Sequence, residues 1–277
     1  MKSFEAEPSR AAQTQAPVLW NREVGPGYRR MGLAAGPAYA GAEAGQFVMA
    51  GLAERSPRLL RRPFSIHRQL EVEGTAGIEL LYRVVGPTTR VMAELPPGAA
   101  VDLVGPLGRG FRVPERVHRL ALVAGGIGVA PLLFLAESFV RRRGAAGIDV
   151  YLGGRSGQDL LCRADFEALG VSVTLTTEDG SSGDQCLVTL PLAAAAGRAA
   201  PDLICACGPP GMLACVARIA REARIPCQVC LEAFMACGIG ACLGCAVAPA
   251  DPGQGYRHVC RDGPVFDAVQ LAWAISD

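Results

Sequence analysis

An excess of charge is what this sequence most plainly lacks. Lys and Arg number 27, Asp and Glu 26, for a net charge of +1 over 277 residues. Nucleic-acid binders take much of their affinity from neutralising phosphates, so this balance excludes a broad footprint for nucleic acid. Histidine is scarce as well. His67, His118 and His258 are scattered along the chain and suggest no catalytic acid or base; none is assigned. The first sixteen residues have no apolar signal core and read as a loose tail. Without a secretory signal, eleven cysteines point to a reducing compartment rather than a disulfide scaffold, and so to the cytoplasm. A long unbroken apolar run is missing too. Leu120 to Ala136 carries no charge, but Gly125-Gly126-Ile127-Gly128 and Pro131 interrupt it. A buried strand, a glycine turn and a helix fit that stretch better than a membrane span. No internal repeat is present.

What the chain does have is cysteine in one dense pattern. Cys237-Gly-Ile-Gly-Ala-Cys242-Leu-Gly-Cys245 is followed, after fourteen residues, by Cys260. C-x4-C-x2-C…C is the plant-type ligand spacing of a [2Fe–2S] cluster. Structural zinc usually takes two short knuckles far apart, whereas three of these cysteines share one loop. Gly238, Gly240 and Gly244 let such a loop wrap closely, with amides turned toward sulfur. Cys227-Gln-Val-Cys230 lies just upstream. With no second knuckle to pair with, it reads as two buried thiols.

Half the residues are hydrophobic, and the length suits two domains and a small third. After the tail (1–16), residues 17–115 are short apolar runs broken by Gly and Pro, such as Phe47-Val48-Met49, Ile78–Val85 and Val101–Val104. This reads as a β barrel. From 116 to 225, buried strands (Leu120–Ala124, Asp149–Leu152, Val171–Thr176, Leu203–Ala206) alternate with helices (Pro131–Arg143, Leu161–Leu169, Leu187–Ala196, Pro210–Ala223). Alternation of this kind means an α/β parallel-sheet domain. Residues 226–277 form a short Cys- and Gly-rich segment that needs a metal centre to stabilise it.

Within the barrel, Arg61-Arg62-Pro63-Phe64-Ser65-Ile66 is either a pyrophosphate and flavin-edge contact or an exposed basic turn. Leu81-Tyr82-Arg83 and then Gly86-Pro87-Thr88-Thr89 offer a strand and a turn with hydroxyls. In the α/β region, Gly126-x-Gly128-x-x-Pro131 follows a strand and opens a helix, where a dinucleotide phosphate can meet backbone amides. Pro131 stands where the fingerprint has its third glycine. Cys207-Gly208-Pro209 ends the last strand, so Cys207 either faces a nicotinamide or is a buried thiol before a turn.

The order of these motifs resembles the ferredoxin–NADP reductase superfamily. Leu231-Glu232-x-x-Met235-Ala236-Cys237-Gly238-Ile239-Gly240-Ala241-Cys242, with Val259-Cys260-x-Asp262-Gly263-Pro264-Val265-Phe266, resembles the electron-transfer subunits of NAD-linked (class 1B) dihydroorotate dehydrogenases. The resemblance runs from Val18 to Trp273. It implies FAD on Arg62, Pro63, Phe64, Ser65, Leu81, Tyr82, Arg83, Thr88 and Thr89. It implies NAD at Gly126, Gly128, Pro131, Cys207, Gly208 and Pro209, and a cluster on Cys237, Cys242, Cys245 and Cys260. It also implies an FMN-containing catalytic partner that oxidises dihydroorotate in pyrimidine biosynthesis, two copies of each subunit, and no membrane. Relatives often carry Ile or Tyr at Phe64 and Gly-Thr at Thr88-Thr89. Two other readings remain: a flavin subunit of a ferredoxin:NADP or sulfide oxidoreductase, which would share all three domains and differ in partner, and a regulatory protein with a zinc-stabilised tail; the Leu231–Cys242 wording favours the dihydroorotate family.

Overall fold

The computed structural model describes residues 11–52, 59–72 and 74–273. The first strands are β1 (Ala12–Gly25), β2 (Tyr28–Leu33), β3 (Phe47–Gly51), β4 (Arg62–Val72) and β5 (Thr75–Arg83). A helix, α1 (Pro87–Ala93), then leads to β6 (Ala100–Leu107). These six strands close a barrel in the order β1-β2-β5-β4-β3-β6, with every pair antiparallel. Its interior is filled by side chains such as Val18, Met31, Val48, Ile66, Leu80 and Leu103, all buried.

Two local expectations change here. Residues 12–16, read as tail, form the start of β1 and pair with β6 from Ala12↔Gly105 to Ala16↔Val101. Strand pairing is made by the backbone, so the polar Gln13, Thr14 and Gln15 do not prevent it. Residues 1–10 of the expected tail lie outside the described residues. The Pro87-Thr88-Thr89 turn is the start of α1. Pro87 suits the first helical turn, and the Thr89 hydroxyl accepts from the Val85 and Gly86 amides at 2.9 and 3.0 Å.

The second domain runs β7 (Leu120–Gly125), α2 (Val129–Arg143), β8 (Ile148–Gly154), α3 (Arg163–Ala168), β9 (Ser172–Thr177), β10 (Asp184–Gln185), α4 (Thr189–Arg198), β11 (Leu203–Cys207) and α5 (Pro210–Ala223). After it come β12 (Cys227–Cys230), β13 (Ala246–Val247), β14 (Arg257–His258), α6 (Val259–Asp262) and β15 (Val265–Asp267). The main sheet has the order β10-β9-β8-β7-β11-β12-β15, parallel except for β15. Residues alternate between its faces. Leu120, Leu122 and Ala124 pack with α2, α3 and the barrel, while Ala121 and Val123 pack with α4 and α5. With both faces covered, β7 reads as a continuous apolar run. The sheet also extends past position 225: β12 pairs with β11, so Cys227 and Cys230 belong to the nucleotide-domain sheet.

Two ties hold the C-terminal segment to the barrel. The Arg109 amide donates to the Gly263 carbonyl at 2.6 Å. Gly238, with φ of +74°, lies so close to β3 that a Cβ there would stand 2.4 Å from Met49 Cγ. Among the described residues no helix is long and apolar enough to cross a membrane.

Candidate dinucleotide cleft and iron–sulfur centre

The carboxyl ends of β7, β8, β9 and β11 open into a cavity of about 580 Å³. One wall is Gly125 to Gly128, where β7 passes through a short 3-10 turn into α2. The facing wall is Gly208 to Leu213, at the entry to α5. The loops meet so closely that a Cβ on Gly128 would lie 2.3 Å from the Cys207 carbonyl oxygen. Ligands of open parallel sheets bind in this position, beyond the strand ends. Gly126, Gly128, Gly208 and Pro209 all line the cleft, as the motifs lead one to expect.

Two residues of that set sit elsewhere. Pro131 is buried inside α2, which begins at Val129, two residues before the expected start. Its missing N–H costs nothing there, because the first four amides of a helix have no partner within it. Cys207 is 2 % exposed and does not line the cleft. It pairs in register with Cys230 on the neighbouring strand; the adjacent Cys230 thiol first, and burial second, push its pKa up. Strand alternation aims it into the core while the next residues, Gly208 and Pro209, turn into the cleft. Burial likewise holds the Cys227 thiol up at about 12, so it is a protonated core side chain, as the sequence suggests.

The cleft also contains Tyr28, Asp159, Glu178 and Trp273, to which no motif gave a site role, together with Arg83, expected at the FAD, and Glu232 of the Leu231–Cys242 motif. Tyr28 donates to Asp159 Oδ1 at 2.8 Å across 131 positions of sequence, a pairing that no local pattern announces. Glu178 directly follows β9 and lines the cleft. Glu232 opens to solvent through the cleft mouth, yet the crowded walls raise its pKa by desolvation. Arg155 lines the cleft beside Gly153 and Gly154.

On the barrel, Arg62, Pro63, Phe64 and Ser65 begin β4 and are half-buried. Phe64 stands edge-on to Tyr82, with centroids 5.9 Å apart and planes at 69°. The pair offers part of an apolar surface that a planar ring can cover. Arg62 donates to the carbonyls of Leu60 and Arg61 at 3.3 and 3.4 Å. Leu81 and Tyr82 are buried on β5, and the Tyr82 hydroxyl donates to Asn21 at 3.1 Å. Arg83 is exposed, its guanidinium 5.4 Å from the Tyr28 ring. Thr88 and Thr89 are buried, and the Thr89 hydroxyl already serves the helix cap. The structure therefore gathers Arg62–Ser65 and Leu81–Arg83 on adjacent strands, with Arg83 reaching the dinucleotide cleft.

The four cysteines of the spacing motif come together in two pairs. Cys245 and Cys260, both 3 % exposed, have sulfurs 3.2 Å apart. The Cys242 and Ile239 amides donate to Cys237 Sγ at 3.4 and 3.5 Å. Desolvation pushes the Cys237 thiol up, but these backbone donors outweigh it and bring it down to about 6. Desolvation first and the Cys245 sulfur second hold Cys260 at about 12. As free thiols the pair is joined by a hydrogen bond from Cys245 to Cys260; as metal-bound thiolates they would need adjoining positive charge, which iron would supply. Among the described residues no three His, Cys, Asp or Glu side chains gather as a site for one ion. A tetrahedral zinc needs all four donors at one centre, whereas two sulfur pairs suit a two-iron cluster with two ligands per iron. The donor set fits the group.

A closed barrel, a parallel-sheet dinucleotide cleft and a cysteine-rich C-terminal segment together define a reductase-type oxidoreductase. Residues 122–218 match the oxidoreductase NAD-binding domain, and residues 232–272 match the iron–sulfur cluster binding domain of dihydroorotate dehydrogenase B. The chain is 38 % identical over 230 residues to the dihydroorotate dehydrogenase B (NAD(+)) electron transfer subunit of Desulforamulus reducens, covering 83 % of this chain and 86 % of that one. It is 40 % identical over 229 residues to the probable subunit of the same name from Methanopyrus kandleri, covering 83 % and 80 %. The chain belongs to the family of dihydroorotate dehydrogenase B (NAD(+)) electron transfer subunits, as an oxidoreductase subunit. Among solved structures, the NADH-dependent reduced ferredoxin–NADP oxidoreductase, described for flavin-based electron bifurcation, superimposes with a TM-score of 0.79 at 26 % identity, over 94 % of this chain and 90 % of that one. A ferredoxin NADP+ reductase from Neisseria gonorrhoeae with bound FAD and NADP shares the fold, with a TM-score of 0.60 at 19 % identity over 76 % and 91 %.

Proposed function

We propose that this chain carries electrons from a catalytic partner subunit to NAD+, through a [2Fe–2S] cluster on Cys237, Cys242, Cys245 and Cys260 and an FAD on β4 and β5. One observation carries the reading beyond family membership. The cluster loop rests on Met49 of β3, and Met49 pairs with Pro63 of β4. The cysteines and the Arg62–Ser65 segment are thus one strand apart, and the other side of the barrel meets the dinucleotide cleft through Tyr28 and Arg83.

Bound nicotinamide exchanges a hydride, an iron–sulfur cluster one electron, and a flavin either, so the flavin stands between the other two. The chain's own residues bind and orient. Arg62 and Ser65 grip the flavin's phosphate and ring edge. Gly126, Gly128, Gly208 and Pro209 let a dinucleotide approach the backbone. Glu178 accepts from the adenosine ribose hydroxyls, which favours NAD over a 2′-phosphate, although Arg155 is close by. Amides of the cluster loop stabilise thiolate sulfur. No residue here acts as a catalytic acid or base on dihydroorotate; that chemistry belongs to an FMN-containing partner in a cytoplasmic assembly of two copies of each subunit, serving pyrimidine biosynthesis.

Co-purification of the complex tests the reading. The expected outcome is FAD and iron with this chain, FMN with the partner, and NAD+ reduction by dihydroorotate only when both are present. A colourless pure chain would refute it. A coloured chain that couples to reduced ferredoxin but not to dihydroorotate would assign it to another reductase complex.

A further inference from the structure

We propose that Asp165 is a positioning residue for hydride transfer, the centre of a charged clamp that sets the angle between the barrel and the nucleotide domain. The inference rests on the flavin-to-NAD reading above and goes beyond it, because Asp165 belongs to no motif and does not line the cleft. The barrel side of the clamp is Tyr28 and Arg30 on β2, His67 and Arg68 on β4, and Glu79 on β5. The nucleotide-domain side is Glu137 and the Ala130 carbonyl on α2, Asp159 and Cys162 before α3, and Asp165 within it.

The contacts are short and directional. Arg30 grips Asp165 with both guanidinium nitrogens, at 3.1 and 2.5 Å. Arg68 donates to the same carboxylate at 2.8 Å and to Glu137 at 2.6 Å. Tyr28 reaches Asp159 at 2.8 Å. His67 Nδ1 lies 2.8 Å from the Ala130 carbonyl oxygen. Behind them Glu79, 2 % exposed, lies 3.6 to 3.8 Å from His67, Arg68 and Arg30, with Arg22 acting on it from farther away. Cys162 sits in the left-handed region, with φ of +62°, where a non-glycine residue is held only by its surroundings. Its sulfur accepts from Arg30 at 3.2 Å.

An apolar interface tolerates small rotations. A two-pronged guanidinium–carboxylate pair does not, because a shift breaks its geometry and leaves charge stranded. The clamp therefore selects one angle. Asp159 belongs both to the clamp and to the cleft wall, and Ala130 follows the Gly126–Gly128 turn. Fixing these segments fixes where a dinucleotide lies relative to the barrel. In the proposed direction reduced flavin gives up a hydride to NAD+; in the reverse, measured direction NADH gives up the hydride and becomes NAD+, while the flavin takes up its two electrons and proton. A displacement of about 1 Å between reacting atoms can cost about a hundredfold in rate.

The test uses the full-length flavin-loaded protein and the variants Asp165→Asn, Asp165→Glu and Glu137→Gln. Three quantities are measured: the anaerobic single-turnover rate of flavin bleaching by saturating NADH, the Kd for NAD+, and amide hydrogen exchange. In Asp165→Asn the limiting rate is expected to fall about tenfold or more. NAD+ affinity should change by less than about threefold, because every cleft residue remains. Exchange should quicken in β2 and α3, and Asp165→Glu should recover most of the rate. If Asp165→Asn does not fold, Glu137→Gln, which removes one partner of Arg68, is read in the same way. A wild-type limiting rate in a folded variant with quickened exchange would make the clamp purely structural and overturn the proposal, as would a loss confined to NAD+ affinity. Wild-type flavin that NADH does not bleach would refute the flavin-to-NAD reading itself, and the proposal with it.

Discussion

Of the chain's eleven cysteines, spacing marks four as candidate cluster ligands, and their surroundings add to the distinction. Cys237 meets backbone amides and Cys245 meets Cys260; Cys242 is exposed, while Cys245 and Cys260 are buried. Cys205, Cys207, Cys227 and Cys230 are buried in two parallel strands. Ser at any of the first four is expected to strip or destabilise the cluster, measured as iron per chain. Cys227→Ser and Cys230→Ser should keep full iron while losing some thermal stability, since a hydroxyl replaces a buried thiol; iron loss in either would reassign the ligands. Arg62→Ala should weaken flavin retention by about 1.5–3 kcal/mol, the worth of a hydrogen bond to a charged group. Flavin occupancy after extensive dialysis measures this, and occupancy equal to wild type would remove Arg62 from the site.

At the scale of elements, the seam between β4 and α2 gives the fold a pH dependence. His67 is fully buried, and desolvation is the main reason its pKa falls to about 3. In the unfolded chain it is about 6.5. As pH drops below that value, the unfolded chain takes up a proton that the native protein refuses, so stability falls by up to about 1.4 kcal/mol per pH unit until about pH 3. Glu79, its pKa raised chiefly by desolvation, acts with the opposite sign: the native protein takes up that proton first as pH falls. Urea unfolding of wild type and His67→Gln between pH 7 and 5 separates the two. The wild type is expected to lose stability more steeply, and parallel slopes would show that His67 is not the titrating group.

For the whole molecule, the proposed electron path runs through the cluster, and a cluster-free variant tests it. Cys242→Ser leaves the barrel and the dinucleotide cleft untouched. NADH oxidation with an artificial acceptor should persist near the wild-type rate. Dihydroorotate-dependent NAD+ reduction with the partner present should be lost. Retention of that coupled reaction would take the cluster off the path. Phe234, Ile239 and Leu243, around the cysteine loop, are exposed.

The amino-acid sequence by itself determined whatever depends on neighbours along the chain. Cluster spacing lies within one loop and one following segment, so an iron–sulfur domain was legible there, and residues 232–272 match one. Buried parallel strands such as Leu120–Gly125 read as apolar runs closed by glycine, and α5 starts at Pro210 and ends at Ala223 as its pattern suggests. Tertiary structure decided what depends on distant partners. Residues 12–16 became strand because β6 offered a backbone edge. Cys207 turned away from the cleft because strand alternation aimed it at Cys230. The clamp joining Tyr28 to Asp159 and Arg30 to Asp165 spans more than 130 positions. Ion pairs of that reach have no local signature; they exist only once two independently patterned domains have packed and must neutralise the charge they bury.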